Sequence, residues 1–166
     1  NESKYREAKA IVGELDRVTL DLPELQSATT REVALDKART AFGILARPVI
    51  VEDAGFEIAA LGGFPGPFIK YWEQLGGLPS ICRALDGFTD RTAIAVCVLG
   101  LCDTSGARVV EGRVGGRIAE APRGTNGFGW DAIFVPDGDT RTFAEMSAAE
   151  KSAISHRRRA WDALRT

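Results

Sequence analysis

From Asn1 to Leu15 the apolar or small residues Tyr5, Ala8, Ile11, Val12 and Leu15 recur at helical spacing, with charge on the opposite face, and predict a surface helix. Arg17 to Leu20 reads as a short strand, followed by a loop at Asp21-Leu22-Pro23-Glu24. A second helix is predicted from Thr29-Thr30, because Thr29 and Glu32 have capping-box spacing and Ala34, Ala38, Ala41, Phe42 and Leu45 form a stripe that ends before Pro48. The apolar run Pro48 to Val51 predicts a strand buried on both faces, stopping at Glu52-Asp53, so that two carboxylates sit at its exit. Phe56 to Leu61 predicts another strand, and Gly62 to Pro67 a rigid turn. Two short helices, Phe68 to Leu75 and Leu78 to Leu85, flank Gly76-Gly77. Thr92 to Cys102 and Arg108 to Val114, joined through Asp103-Thr104-Ser105-Gly106, form the clearest hairpin signal. A glycine-bearing loop from Ala121 to Trp130, a strand at Ile133 to Val135 and a helix from Ser155 to Leu164 complete the pattern. With no repeat or linker, the expectation is one mixed α/β domain in two lobes around a cleft.

Composition narrows the class. The chain has 166 residues, 45% hydrophobic and 27% charged, enough for one stable core and far from the composition of disordered chains. The 21 basic and 23 acidic residues give a net charge of −2, so there is no global positive field for nucleic acid, and any phosphate binding must be local. Cys82, Cys97 and Cys102 lie in apolar runs without CxxC spacing, which points to buried thiols in a reducing compartment and makes a cytoplasmic location the expectation. No apolar run approaches the roughly 20 residues of a membrane helix, so no membrane partner is expected. Met146 is the only methionine and residue 1 is Asn, so the natural chain is expected to begin earlier.

Four groups of residues carry candidate chemistry. Glu24, Glu52 and Asp53 are hard oxygen donors of the kind Mg²⁺ takes in ones and twos while substrate phosphates fill its shell. Each also fits a plain turn-capping role. Lys4, Lys37, Lys70 and Lys151 are scattered, as solvated charges are, but Lys37 borders the apolar stripe of its helix, and Lys4 lies in a helix first turn where an anion is favoured. Phe128-Gly129-Trp130-Asp131 lies in a loop, where its aromatics serve either as a stacking surface for a base or as a hydrophobic plug. Lys151 and His156, the only histidine, would point about 140° apart on one continuous helix. They meet a common ligand only if a new helix starts near Ser155. No Walker, dinucleotide-binding, nucleophile-elbow or HExxH motif is present.

In order along the chain, several blocks resemble the inosine triphosphate pyrophosphatase (ITPase) family. They are Asn1-x-x-Lys4-x-x-Glu7, Asp21 to Gln26, the helix bearing Lys37, Val49 to Asp53 and Ala60 to Lys70. They continue through Gly112-Arg113, Gly116 to Ile118, Ala121 to Gly124, Phe128 to Asp131, Phe134 to Gly138, Thr142 to Met146 and Glu150 to Arg157. The resemblance implies a long, mixed, twisted sheet with flanking helices, two lobes around a central cleft and a homodimer. It also implies hydrolysis of non-standard purine nucleoside triphosphates (ITP, dITP, XTP) to the monophosphate and pyrophosphate. It assigns Asn1, Lys4, Lys37 and Lys70 to the triphosphate, and Glu24 and Asp53 to Mg²⁺, with Mn²⁺ as a substitute. Asp53 and Lys37 take the catalytic roles, and Phe128, Gly129, Trp130, Asp131, Lys151, His156 and Arg157 form the base pocket. The family has a strand and a Thr or Ser just before Asn1. Ala54 and Ser152 depart from its usual Ser or Thr and its usual Asn. The same chemistry on pyrimidines, as in Maf-like proteins, and an RNA-binding module built on His156 to Arg159 are the competing readings.

Overall fold

The structure, a computed structural model, describes residues 1 to 165. Helix α1 (Glu2–Val12) is capped by Asn1, whose side chain accepts from the Lys4 amide at 3.1 Å. Helix α2 (Thr30–Leu45) starts at Thr29, whose hydroxyl accepts from the Glu32 amide. The Glu32 carboxylate accepts instead from the Ser27 hydroxyl. The chain then forms β1 (Val49–Ile58), β2 (Pro65–Gly66), α3 (Ile69–Gly76), α4 (Leu78–Arg83), β3 (Thr92–Asp103), β4 (Gly106–Ile118) and β5 (Phe134–Pro136). Helices α5 (Ala148–Ile154) and α6 (His156–Leu164) close it.

The strands make one sheet, ordered β2-β1-β3-β4-β5, and every pairing among the described residues is antiparallel. The α/β class with flanking helices stands, while the expected mixed pairing gives way to antiparallel ladders. The β3–β4 hairpin closes tightly, and the long return from β1 to β3 brings β3 in beside β1 running the opposite way, so neither connection makes a parallel neighbour. Arg17 to Leu20 joins no strand.

The largest revision concerns β1. The strands expected at Pro48 to Val51 and Phe56 to Leu61 are one strand of ten residues, Val49–Ile58, with Glu52 paired to Leu99 and Asp53 to Val98 in mid-ladder, while Ala59–Leu61 forms a turn of 3-10 helix. The first half of β1 is not buried on both faces: Ile50 is 43% exposed, because β2 runs opposite only Phe56 and Glu57. Two adjacent acids inside a strand point to opposite faces, and this divides the chemistry of the molecule in two.

On one face, α2 packs against Val96 and Val98 through Ala34. Gly100 permits that approach, since a Cβ there would lie 2.3 Å from the Ala34 carbonyl oxygen. On the other face two apolar clusters lie end to end. Ala8 and Ile11 of α1, Cys97 and Leu99 of β3, and Ala160 and Trp161 of α6 form the first. Phe56, Ile58, Ile69, Leu85, Trp130, Phe134 and Phe143 belong to the second. Gly112 lets α6 lie on the sheet: a Cβ there would meet the Ala160 nitrogen and the His156 carbonyl oxygen at 2.2 Å. The buried polar residues of α6 occupy the seam between these clusters.

Candidate active site

At one end of the site, α2 carries Lys37 toward the face on which Asp53 emerges. Lys37 Nζ donates to Glu24 Oε1 at 2.7 Å and to Asp53 Oδ2 at 3.4 Å, so two carboxylates from distant segments converge on one cationic point. Burial works against the charge on Lys37, but Asp53 and Glu24 outweigh it and raise the ammonium above the ordinary lysine range. The hydrogen bond from Lys37 in turn holds the Glu24 carboxyl below its usual range, against partial burial. Tyr71 donates to Glu24 Oε2 at 3.3 Å, and the charge of Lys70 acts on the same carboxylate. Lys70 itself is exposed on the first turn of α3.

Lys4, on α1, stands 3.7 Å from Glu52 and 4.0 Å from Asp53, close enough for attraction and too far for a hydrogen bond. It is thereby a cation shared between the two acids at the divide between the two faces. Asn1 is exposed at the N-cap of the same helix.

Across the strand lies the second end. Arg157 is 1% exposed and Lys151 4% exposed, and acids surround both. Arg157 Nε and Nη2 each donate to Glu52 at 2.8 Å, and Nη1 donates to Glu7. Lys151 donates to Glu7 Oε1 at 2.7 Å and to Asp131 Oδ2 at 2.5 Å. Burial pushes the Asp131 carboxyl up against the pull of Lys151, and the Phe128 amide gives that carboxylate a further bond at 2.7 Å. Gly129 turns the loop with φ +61°, conformational space that a side chain rarely enters.

Helices α5 and α6 supply Lys151 and His156 to one place because the chain breaks between them. Ser155 is extended (φ −67°, ψ 155°) and caps α6 through the Arg158 amide, so the reorientation expected at this residue is present. His156 packs on Trp130 with ring centroids 5.1 Å apart. Burial, followed by the charges of Arg157, Lys151 and Lys4, drives its pKa well below the ordinary value, so the ring is neutral at pH 7. Its Nδ1 is buried without a hydrogen-bond partner among the described residues.

The aromatic loop divides its labour. Trp130 is 8% exposed and wedged against Phe56 and Phe134, which makes it the plug of the core rather than an open surface. Phe128 is half-buried, and Lys151 Nζ lies 4.8 Å and the Arg157 guanidinium 5.6 Å from its ring centre. A planar group entering here therefore finds one aromatic ring and a fixed set of N–H donors.

The structure thus gathers Glu24, Lys37, Asp53 and Lys4 at one end and Phe128, Asp131, Lys151, His156 and Arg157 at the other. Glu7 and Tyr71 are site residues that the sequence assigns no role, and Glu52, a candidate metal donor in the sequence, instead gives both oxygens to Arg157. Glu7 carries a signal: it lies three residues after Lys4 on the same helical face. Tyr71 carries none.

The model of the Ham1 family matches residues 1–166. Among curated proteins, a dITP/XTP pyrophosphatase of Methanopyrus kandleri is 47% identical over 165 residues, covering 96% of this chain and 88% of that protein. Inosine triphosphate pyrophosphatase 2 of Trypanosoma cruzi is 43% identical, covering 99% and 87%. Among solved structures, a HAM1 protein from Coxiella burnetii superposes with a TM-score of 0.86 at 32% identity, covering 99% of this chain and 92% of that one.

Proposed function

The chain belongs to the Ham1 family, and from that premise we propose that it hydrolyses non-canonical purine nucleoside triphosphates, ITP, dITP and XTP, to the nucleoside monophosphate and pyrophosphate. The observation that carries the reading is the two-ended site. Lysines and paired carboxylates suit a triphosphate, and a buried cluster of N–H donors beside an aromatic ring suits a purine. Glu52 and Lys4 stand between the two ends.

The residues present fit a divalent cation. Glu24 and Asp53 are hard oxygen donors already drawn to one positive point. This suits Mg²⁺, or Mn²⁺ in its place, held by two carboxylates with phosphate oxygens completing the shell. When bound, such an ion supplies Lewis-acid neutralisation of phosphate charge.

The chain's own residues do the rest. Lys4 and Lys37 neutralise charge that grows on departing pyrophosphate, which favours the transition state over the ground state. Lys70 extends the same field at the rim, and Asn1 lies at the start of the helix that carries Lys4. Asp53, beside Lys37, orients a water for in-line attack at the α-phosphorus and accepts its proton. At the other end, a 6-oxo group accepts from Arg157 and Lys151, whereas the 6-amino group of adenine brings a donor to donors. Such mismatches of buried partners reach roughly 10⁴-fold in rate discrimination.

The same reading places the protein in the cytoplasm as a homodimer. The free, buried thiols of Cys82, Cys97 and Cys102 support the first. The apolar exposure of Phe64, Tyr71 and Leu75, the last 88% exposed, supports the second. Among the described residues no helix is long and apolar enough to cross a membrane.

A panel of ITP, XTP, GTP, ATP and dUTP, assayed for pyrophosphate and phosphate release, tests the function. We expect pyrophosphate from ITP and XTP, with kcat/KM at least about 10²-fold above ATP, abolished by chelation and restored by Mg²⁺ or Mn²⁺. Comparable turnover of ATP or dUTP would refute the assignment of the base.

A further inference from the structure

Glu52 follows Glu24 and Asp53 in residue type but does something different. It does not share the Lys37 point with them, because strand alternation sends Asp53 toward α2 and Glu52 to the face under α6. There both of its oxygens are taken by Arg157, in the two-pronged geometry that fixes a guanidinium in a plane. Arg157 has five N–H donors. Glu52 takes two and Glu7 one, so two N–H groups remain, one on each terminal nitrogen. Without the fork, a long buried side chain would have no fixed plane in which to offer them. Glu52 also lies 3.7 Å from Lys4, at the phosphate end.

We infer that Glu52 is a positioning residue for base selection: its fork sets the plane in which Arg157 presents its remaining donors to the purine, and its attraction for Lys4 ties that plane to the triphosphate end. The inference rests on the reading of the two-ended site given above. The ionisation state agrees with it. Burial opposes the charge on Glu52, but the charge and hydrogen bonds of Arg157 outweigh burial, with help from Lys4, and keep the carboxyl below its usual range.

The test is the ratio of kcat/KM for ITP to that for ATP, in wild type, Glu52→Gln and Glu52→Asp. Gln keeps the size of Glu but offers one acceptor and a competing donor where Arg157 needs two acceptors. Asp keeps the charge but is one methylene too short to hold both nitrogens. Both variants are expected to lose at least tenfold of the ratio, through a higher KM for ITP, with folding checked by circular dichroism and thermal melting. A residue that only braces the fold would slow both substrates alike and leave the ratio intact. If Glu52→Gln fails to fold, Glu52→Asp carries the test. A folded variant that keeps the wild-type ratio within about twofold overturns the inference. Absence of any preference for ITP in the wild type would instead overturn the reading of the two-ended site on which it rests.

Discussion

Asp53→Asn is expected to lower kcat for ITP about 10³-fold while nucleotide affinity stays within about threefold, in the range that loss of a positioned general base produces. Asp53 is 8% exposed, lies in mid-strand where its backbone cannot shift, and faces Lys37 at 3.4 Å. An amide of the same size keeps the packing. It loses the charge that draws Lys37 and any divalent cation to the site, and it cannot take a proton from water. Affinity persists because Lys4, Lys37 and the base end are untouched. The measurement pairs single-turnover hydrolysis with equilibrium binding of ITP. Residual turnover within tenfold of wild type would remove Asp53 from the chemistry.

The second large effect is on stability and selectivity together. Arg157→Met is expected to cost about 3 to 5 kcal/mol, because it leaves Glu52 and Glu7 buried or half-buried beside an apolar side chain in place of their shared partner. For a chain of this length that is a fall of roughly 10 °C in Tm. Lys151 and Lys4 compensate only in part, since each already serves a second acid. Of the proposed preference for ITP over ATP, about 10²-fold is expected to vanish with the guanidinium. Thermal unfolding and kcat/KM on both nucleotides check the two halves. A variant as stable as wild type would mean that the acids around Arg157 pay little for losing it.

The parts of this arrangement legible in the sequence are those set by local rules. The Thr29 cap, the hairpin through Asp103 to Gly106, and the new helix at Ser155 depend on residues a few positions apart, and each stands where its signal placed it. The nearness of Lys37 to Asp53 followed from the border position of Lys37 on an apolar stripe. What local pattern could not supply is the partner of a charge. Glu52 and Asp53 read as the end of a strand because acids inside one are costly without cations, and the cation that offsets Glu52 lies 105 residues later. The same blindness made one strand look like two. Trp130 was ambiguous for a related reason: a loop tryptophan reads the same whether it faces solvent or, as here, plugs a core whose other walls, Phe56 and Phe134, come from β1 and β5. Pairing sense is likewise a property of the return path between strands, which periodicity does not contain.

Hydrolysis of ITP in ¹⁸O-labelled water, followed by mass analysis of both products, tests the central claim most directly. The expected result is inosine monophosphate carrying one labelled oxygen, together with unlabelled pyrophosphate, because water oriented by Asp53 attacks the α-phosphorus. Inosine diphosphate with labelled phosphate, or label in pyrophosphate, would contradict it.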